Sequence, residues 1–435
     1  MANITRVVAG VALASSALVL AGCSDDTSPS ASGGDEPVTL TWWHNGNNDP
    51  LLTFWADVAD EFEADHPNVT IEIEAIQNED LQRTRIPVAL QSGEAPDLFQ
   101  QWGGGELADQ VDAGHLMDLT DLVADDIDRL GGAVAPWSYD GKVYGLPYTF
   151  GVEGIWYRPS LFEAAGIDEE PTTMAELEEA VAALKAADIT PIAVGAGDRW
   201  PAAHWWYNFA LRQCSKDVLQ ASGTTFDFSD PCFVEAGEAL EDFLAVDPFN
   251  EGFAATSAQQ GATSSAGLLA TGNAAMELMG HWNVFVLRGI LADEGIDVDA
   301  LNADLGWFPM PATTGGQGDP TAALGGGDGF SCYVDAPAEC AELLSYISSD
   351  DVQKRFAEVV GGLPVAPNAA TSVTDANLVE LAQVAGNAGY VQLWLDTTYG
   401  MNVGGAMNDA IVAVFAGTGT AQDIVDDMME AAANE

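Results

Sequence analysis

Residues 38–75 read VTLTWWHNGNNDPLLTFWADVADEFEADHPNVTIEIEA, and their pattern decides the fold class. Val38-Thr-Leu-Thr-Trp42 is a run of β-branched, apolar and aromatic residues, a strand. Asp49-Pro50 then supplies an N-cap followed by proline at the first helical position. Phe54, Val58 and Phe62 recur at helical spacing, one apolar face, and Pro67 ends the helix. Val69-Thr-Ile-Glu-Ile-Glu-Ala75 alternates with period two, as a half-buried strand does. A helix over 80–91, kinked by Pro87, leads to a third strand at Asp97-Leu-Phe-Gln-Gln-Trp102. The order βαβαβ predicts an α/β fold with a doubly wound parallel sheet.

A second unit begins near residue 150. Thr173-x-x-Glu176 forms a capping box, and Leu177, Val181 and Leu184 share the inner face of its helix. A strand over 189–194 follows, with Pro191 near its start. Helices over 202–213 and 233–245 come next, then a strand over 274–279. The Gly/Pro-rich stretch 309–329 reads as a loop before a last helical third, with helices over 337–348, 351–360, 375–385, 403–416 and 420–432. No repeat of 20–50 residues is visible.

Composition excludes several functions. The chain has 67 Asp+Glu against 13 Lys+Arg, a formal net charge of −54. Nucleic acids and anionic lipid surfaces are bound through clustered Lys and Arg, so neither is an expected partner. Disorder is excluded too, because 48% of the residues are hydrophobic and 12 Trp and 17 Phe are present. At 435 residues the chain can bury a sizeable core.

The first residues set the expected compartment. Arg6 precedes an apolar run over 7–21 that is too short to span a bilayer and reads as a signal-peptide core. It ends in Leu20-Ala-Gly-Cys23, which resembles the lipobox of bacterial lipoproteins. That resemblance implies a leader over 1–22, a lipidated Cys23 and an extracytoplasmic protein anchored to the cell membrane. Residues 23–37 are small, polar and Pro/Gly-rich, a flexible tether.

Beyond Cys23 the cysteines are Cys214, Cys232, Cys332 and Cys340, an even number suited to an oxidising compartment. Of the three pairings, Cys214–Cys232 with Cys332–Cys340 is preferred because each closes a small loop. The alternative is a metal site, but there is no Cys-x-x-Cys and the five histidines are scattered. Gly-x-Ser-x-Gly, His-Glu-x-x-His and Walker motifs are absent from the sequence. No cofactor, metal or catalytic residue is expected.

Several motifs together carry a family resemblance. They are Leu40-Thr-Trp-Trp-His44 with Phe62-Glu-x-x-x-Pro67-Asn-Val69, and Ala89-Leu-Gln-Ser-Gly-Glu-Ala-Pro-Asp97-Leu. Asp140-Gly-Lys-Val-Tyr144-Gly-Leu-Pro147, Trp156-Tyr-Arg-x-x-Leu-Phe162-x-x-Ala-Gly166 and Pro171-Thr-Thr-x-x-Glu176-Leu follow. Gly272-Asn-Ala-Ala-Met276 and Gly280-His-Trp282 close the series. In order and spacing the chain resembles the extracellular solute-binding proteins of bacterial ABC importers, the carbohydrate-binding family 1 that includes maltose-binding protein. The resemblance implies a type II periplasmic-binding-protein-like fold, two doubly wound lobes with discontinuous domains around a hinge. One lobe would hold 38–148 plus 306–362, the other 149–305 plus 363–435. The crossings would fall near Pro147-Tyr148, Phe308-Pro-Met-Pro311 and Gly361-Gly-Leu-Pro364.

A sugar offers a ring face of C–H groups and a rim of hydroxyls, so its binder stacks aromatics on the face and aims amides and carboxylates at the rim. Trp43 and His44 end the first strand, where only one of Trp42 and Trp43 can face away from the core. Trp102 ends the third strand, Trp200 and Trp205 (or Trp206) form a second cluster, and Trp282-Asn283 follows a strand end. Glu79, and Asp328 in its glycine-rich loop, are the carboxylate candidates; Trp156, Trp307 and Trp394 read as core. The expected function is a monomeric substrate-binding lipoprotein that captures a di- or oligosaccharide and delivers it to the transmembrane subunits of an ABC permease. Gln101-Trp-Gly-Gly-Gly105 and Ile189-Thr-Pro-Ile-Ala-Val-Gly195 are similar to binders of β-linked plant sugars such as xylobiose. The alternative is a secreted, anchored glycoside hydrolase, which would need two carboxylates set across the cleft. With an uncharged ligand, the acidity reads as surface solvation suited to a saline medium.

Overall fold

The computed structural model describes residues 36–434. The expected leader, Cys23 and nearly all of the tether lie outside the described residues. Eleven strands appear there: β1 (Val38–His44), β2 (Val69–Ala75), β3 (Leu98–Gln101), β4 (Ser138–Tyr139), β5 (Lys142–Val143), β6 (Leu146–Tyr157), β7 (Ile192–Ala193), β8 (Met276–Gly280), β9 (Gly306–Pro309), β10 (Ala323–Cys332) and β11 (Val391–Leu393).

The opening stretch folds as its pattern dictates, except that Pro50 is itself the N-cap and the helix begins at Leu51 rather than at the proline. β1 pairs in parallel with both β2 and β3. The helix Leu51–Asp65 between β1 and β2 buries Leu51, Phe54, Trp55, Val58, Ala59 and Phe62 on one face. In β2 exposure alternates along the strand, with Glu72 and Glu74 turned outward. The single helix expected over 80–91 is three pieces: Asn78–Asp80, a π-helical turn Leu81–Arg85, and Ile86–Ser92. Pro87 falls in the first turn of the last piece, where its missing N–H costs nothing.

Two long strands tie the molecule together. The sheet runs β2-β1-β3-β10-β6-β8-β7, with β11 on β10 and β9 on β6. The first half of β6 pairs with β10, and its second half lies between β8 and β9. β10 likewise meets β11 at its start and β3 at its end. The segments read as crossings meet along β6, where Pro309 pairs with Gly154 and Pro364 bridges Thr149. The Thr149 hydroxyl donates to the Leu363 carbonyl at 2.7 Å and is itself 2.9 Å from His281 Nε2. Burial holds the His281 imidazole down to about 3, so the ring is neutral.

One core gathers Leu40, Trp42, Trp55, Phe330 and Phe356, and another gathers Trp205, Trp206, Tyr207, Phe233 and Tyr399. Cys214 is bonded to Cys232 and Cys332 to Cys340, the preferred pairing. Trp156 and Trp307 are buried as expected. The capping box of Thr173 and Glu176 starts the helix Met174–Ala186. Among the described residues, no helix is long and apolar enough to cross a membrane.

Two further expectations need correction. The strand expected over 189–194 shrinks to Ile192–Ala193 behind Pro191. The stretch 309–329 is not a loop throughout, since its glycine-rich end is the middle of β10, a central strand. Glycine is needed there because neighbours press on the backbone. A Cβ on Gly326 would lie 2.0 Å from Trp394 Nε1, and one on Gly327 2.0 Å from the Thr149 carbonyl.

Candidate functional site

A cavity opens where the C-terminal ends of β1, β2, β3, β8 and β11 converge, the usual place for a ligand in open α/β sheets. It holds about 900 Å³ of empty space, the part open to solvent at its mouth included.

The turn after β1 supplies Asn45 to Asp49, and the segment after β2 supplies Asn78 and Gln82. Trp102 follows β3, Tyr148 comes from β6, and Gly327 and Asp328 from β10. The helix Trp200–Gln213 contributes Trp200 and His204, a pair spaced i, i+4 on one face. Trp282 follows β8, and Trp394, Asp396 and Thr397 follow β11.

Three of these indoles form a box. Trp282 meets Trp200 edge-on at 6.1 Å between ring centroids and Trp394 at 5.7 Å. His204 stacks on Trp394 at 4.7 Å with ring planes 9° apart. Behind the box, His204 Nδ1 lies 2.7 Å from the buried Glu153 carboxylate, which also accepts from the Asn208 amide. With the Glu153 carboxylate accepting, Nδ1 is the donor of this pair. The Trp200 indole N–H has no hydrogen-bond partner in the structure.

Asp328 is the polar centre on β10. Its Oδ1 accepts from Gln100 Nε2 at 2.7 Å and from Asn45 Nδ2 at 3.3 Å, and the Trp102 side chain donates to the same carboxylate. Burial outweighs these donors and pushes its carboxyl up to about 6. On one rim, Arg83 pairs with Asp396 at 2.8 Å, and Arg199 pairs with Glu79 at 3.0 Å and Asp409 at 2.7 Å. Arg199 has φ 62° and ψ −61°, a strained backbone state for a residue with a side chain, directly before Trp200.

Of the residues singled out from sequence, Trp102, Trp200, Trp282 and Asp328 line this cavity. Trp43, His44, Glu79, Trp205 and Asn283 are not among its lining residues. Trp43 lies on the opposite side of β1 from Trp42, under the Arg85 guanidinium at 4.8 Å. His44 is fully buried beside Trp42 and Trp55, and burial lowers its imidazole to about 3. Glu79 stands at the rim in its pair with Arg199. Trp205 is a core residue stacked on Phe243 at 4.9 Å; one residue beyond His204, the helix has turned about 100° away. Asn283 is buried and donates to Glu277 at 2.8 Å. Asp328 occupies a strand, not a loop. Trp394 is buried with the core, as expected, and also lines the cavity, and the sequence did not single out His204, Gln82 or Asp396 as contacts. The i, i+4 spacing from Trp200 to His204 was the available signal; nothing local marked Trp394.

Residues 45–354 match the family of bacterial extracellular solute-binding proteins. The chain belongs to that family. This solute-binding protein is 27% identical over 307 residues to an ABC transporter extracellular-binding protein of Pyrococcus horikoshii, covering 69% of this chain and 66% of that one. Among solved structures, one from work on xylan utilization by the thermophilic bacterium Caldanaerobius polysaccharolyticus superposes with a TM-score of 0.80 at 24% identity, over 90% of this chain and 99% of that one. A chitin oligosaccharide binding protein gives 0.79 at 23% identity, over 91% and 98% of the two chains. The solute-binding protein therefore has the type II periplasmic-binding-protein-like fold, with two α/β lobes.

Proposed function

We propose that this chain captures a neutral di- or oligosaccharide in the tryptophan-lined cavity and delivers it to the permease of an ABC importer. The best candidate is xylobiose or another β-linked plant oligosaccharide. The observation that carries this reading is the wall itself: Trp102, Trp200, Trp282 and Trp394 offer flat apolar faces around Asp328, Asn45, Asn78 and Gln82. Such a wall matches a ligand with C–H faces and a hydroxyl rim. The names of structural neighbours, a xylan-utilization protein and a chitin oligosaccharide binder, support the same class. Ligand acts by favouring the closed over the open arrangement of lobes 38–148 plus 306–362 and 149–305 plus 363–435, and no chemistry is performed. The protein works outside the cytoplasm, held to the membrane through a lipidated Cys23.

The test is a tryptophan-fluorescence and calorimetric titration with xylo-, gluco-, malto- and galacto-oligosaccharides. Binding of at least one panel member is the expected result. No response from any sugar at millimolar concentration would overturn the reading, and turnover of a sugar by concentrated protein would replace it with the hydrolase alternative.

A further inference from the structure

The cavity wall carries three carboxylates, Asp49, Asp328 and Asp396, and no Lys or Arg among its described residues. Two cations lie close by, and each already has its own acids. Arg83 is held by Asp396, with both side chains largely buried, and Arg199 bridges Glu79 and Asp409. Asp328 differs from Asp396 in having no cation at all. Its donors, Asn45, Gln100 and Trp102, are neutral dipoles. An isolated carboxylate among aromatic walls projects a field that water screens weakly, and a second anion placed there meets it nearly unopposed.

We propose that Asp328 is a specificity-determining residue that restricts this cavity to sugars without a negative charge, rejecting uronic-acid-bearing sugars and polyol phosphates. The inference rests on the saccharide reading above and sharpens it to a charge class. An anionic ligand would need a cation or a cluster of free donors to replace its hydration. The wall instead presents carboxylate acceptors that suit the hydroxyl protons of a neutral sugar, beside dispersed neutral donors such as its amides and the Trp200 indole N–H.

The experiment is calorimetry on the whole chain at pH 7.5 with matched pairs, xylobiose against glucuronosyl-xylose and cellobiose against its uronic acid, plus glycerol phosphate. The acidic member of each pair is expected to bind at least about tenfold more weakly. Asp328→Asn is expected to shrink that ratio, and a ratio within one variant is insensitive to a general loss of affinity. The unmodified protein at pH 5 gives an independent readout. There Asp328 is protonated while a uronic acid stays charged, so the ratio should also shrink. Of the groups facing Asp328, Asn45, Gln100 and Trp102 do not titrate, and burial holds the Tyr148 phenol protonated. Glu106 and Glu277 titrate near neutrality but face Arg83 and Asn283 instead. Equal affinity for neutral and acidic members would overturn the charge rule and leave the saccharide reading standing. Binding of neither would overturn both.

Discussion

The guanidinium of Arg83 lies 2.8 Å from the carboxylate of Asp396, and the two belong to segments anchored in different cores. Arg83 sits in the π-helical turn Leu81–Arg85, whose Leu81 packs with Phe99 and Trp102. Asp396 opens the helix Leu395–Phe415, whose Leu395 and Tyr399 pack with Trp205 and Tyr207. Their side chains are only 13% and 6% exposed, so removing one partner strands a buried charge. Arg83→Met should destabilise the protein by about 3 kcal/mol. Arg83→Met combined with Asp396→Asn should recover much of that loss. Chemical denaturation of the two variants checks both statements; a single variant as stable as the parent refutes them.

The indoles divide into two classes that substitution should separate. Trp200, Trp282 and Trp394 to Ala should each weaken sugar affinity by about tenfold or more, since each removes a stacking face. Trp205→Ala should instead cost about 3–5 kcal/mol of folding stability, because it empties a core position beside Phe243 and Phe249. Paired calorimetric binding and thermal melts distinguish these outcomes.

Stability should rise as the pH falls from about 7.5 to 5. Burial pushes the carboxyls of Glu106 and Glu277 up to about 7 and that of Asp328 up to about 6. Across this window the folded protein takes up three carboxyl protons that the unfolded chain, with ordinary carboxyls near 4, does not bind. This gain is reduced, not cancelled, by His44 and His281, which burial holds down to about 3 when folded but which the unfolded chain protonates near pH 6.5. Below about pH 4 the trend should reverse. Glu61, Asp118 and Glu176, whose carboxyls are lowered, chiefly by hydrogen bonds, lose that stabilisation on protonation. Melting temperatures recorded from pH 8 to 3 should pass through a maximum on the acid side.

Added salt should raise the melting temperature. A formal net charge of −54 makes mutual repulsion of surface carboxylates the larger electrostatic effect, and about 1 M salt reduces the screening length to about 3 Å. The surface ion pairs weaken in the same salt, but each contributes little. A melting temperature that falls between low and molar NaCl would exclude the saline-medium explanation of the acidity.

Local periodicity made the first sheet legible. β1, the helix Leu51–Asp65 and β2 each carry a complete pattern within their own residues, as do the capping box of Thr173 and the two disulfides. β10 was illegible because glycine favours a turn in isolation, and only the pressure of Trp394 and Thr149 makes it a strand residue. That Trp394, a core residue, also lines the cavity was hidden for a related reason. The strand before it is three residues long, too short to signal that a cavity lies beyond its end. Trp205 and His204 were confused because adjacency in sequence hides a rotation of about 100°. Trp43 needed knowledge that both faces of β1 are covered.

Gly326 does not line the cavity, yet it leaves room for the indole of Trp394, which does. A single added methyl on the strand would displace that wall by the width of an atom. The range of solutes this protein admits is therefore open to change by substitution at a backbone position that never meets the solute.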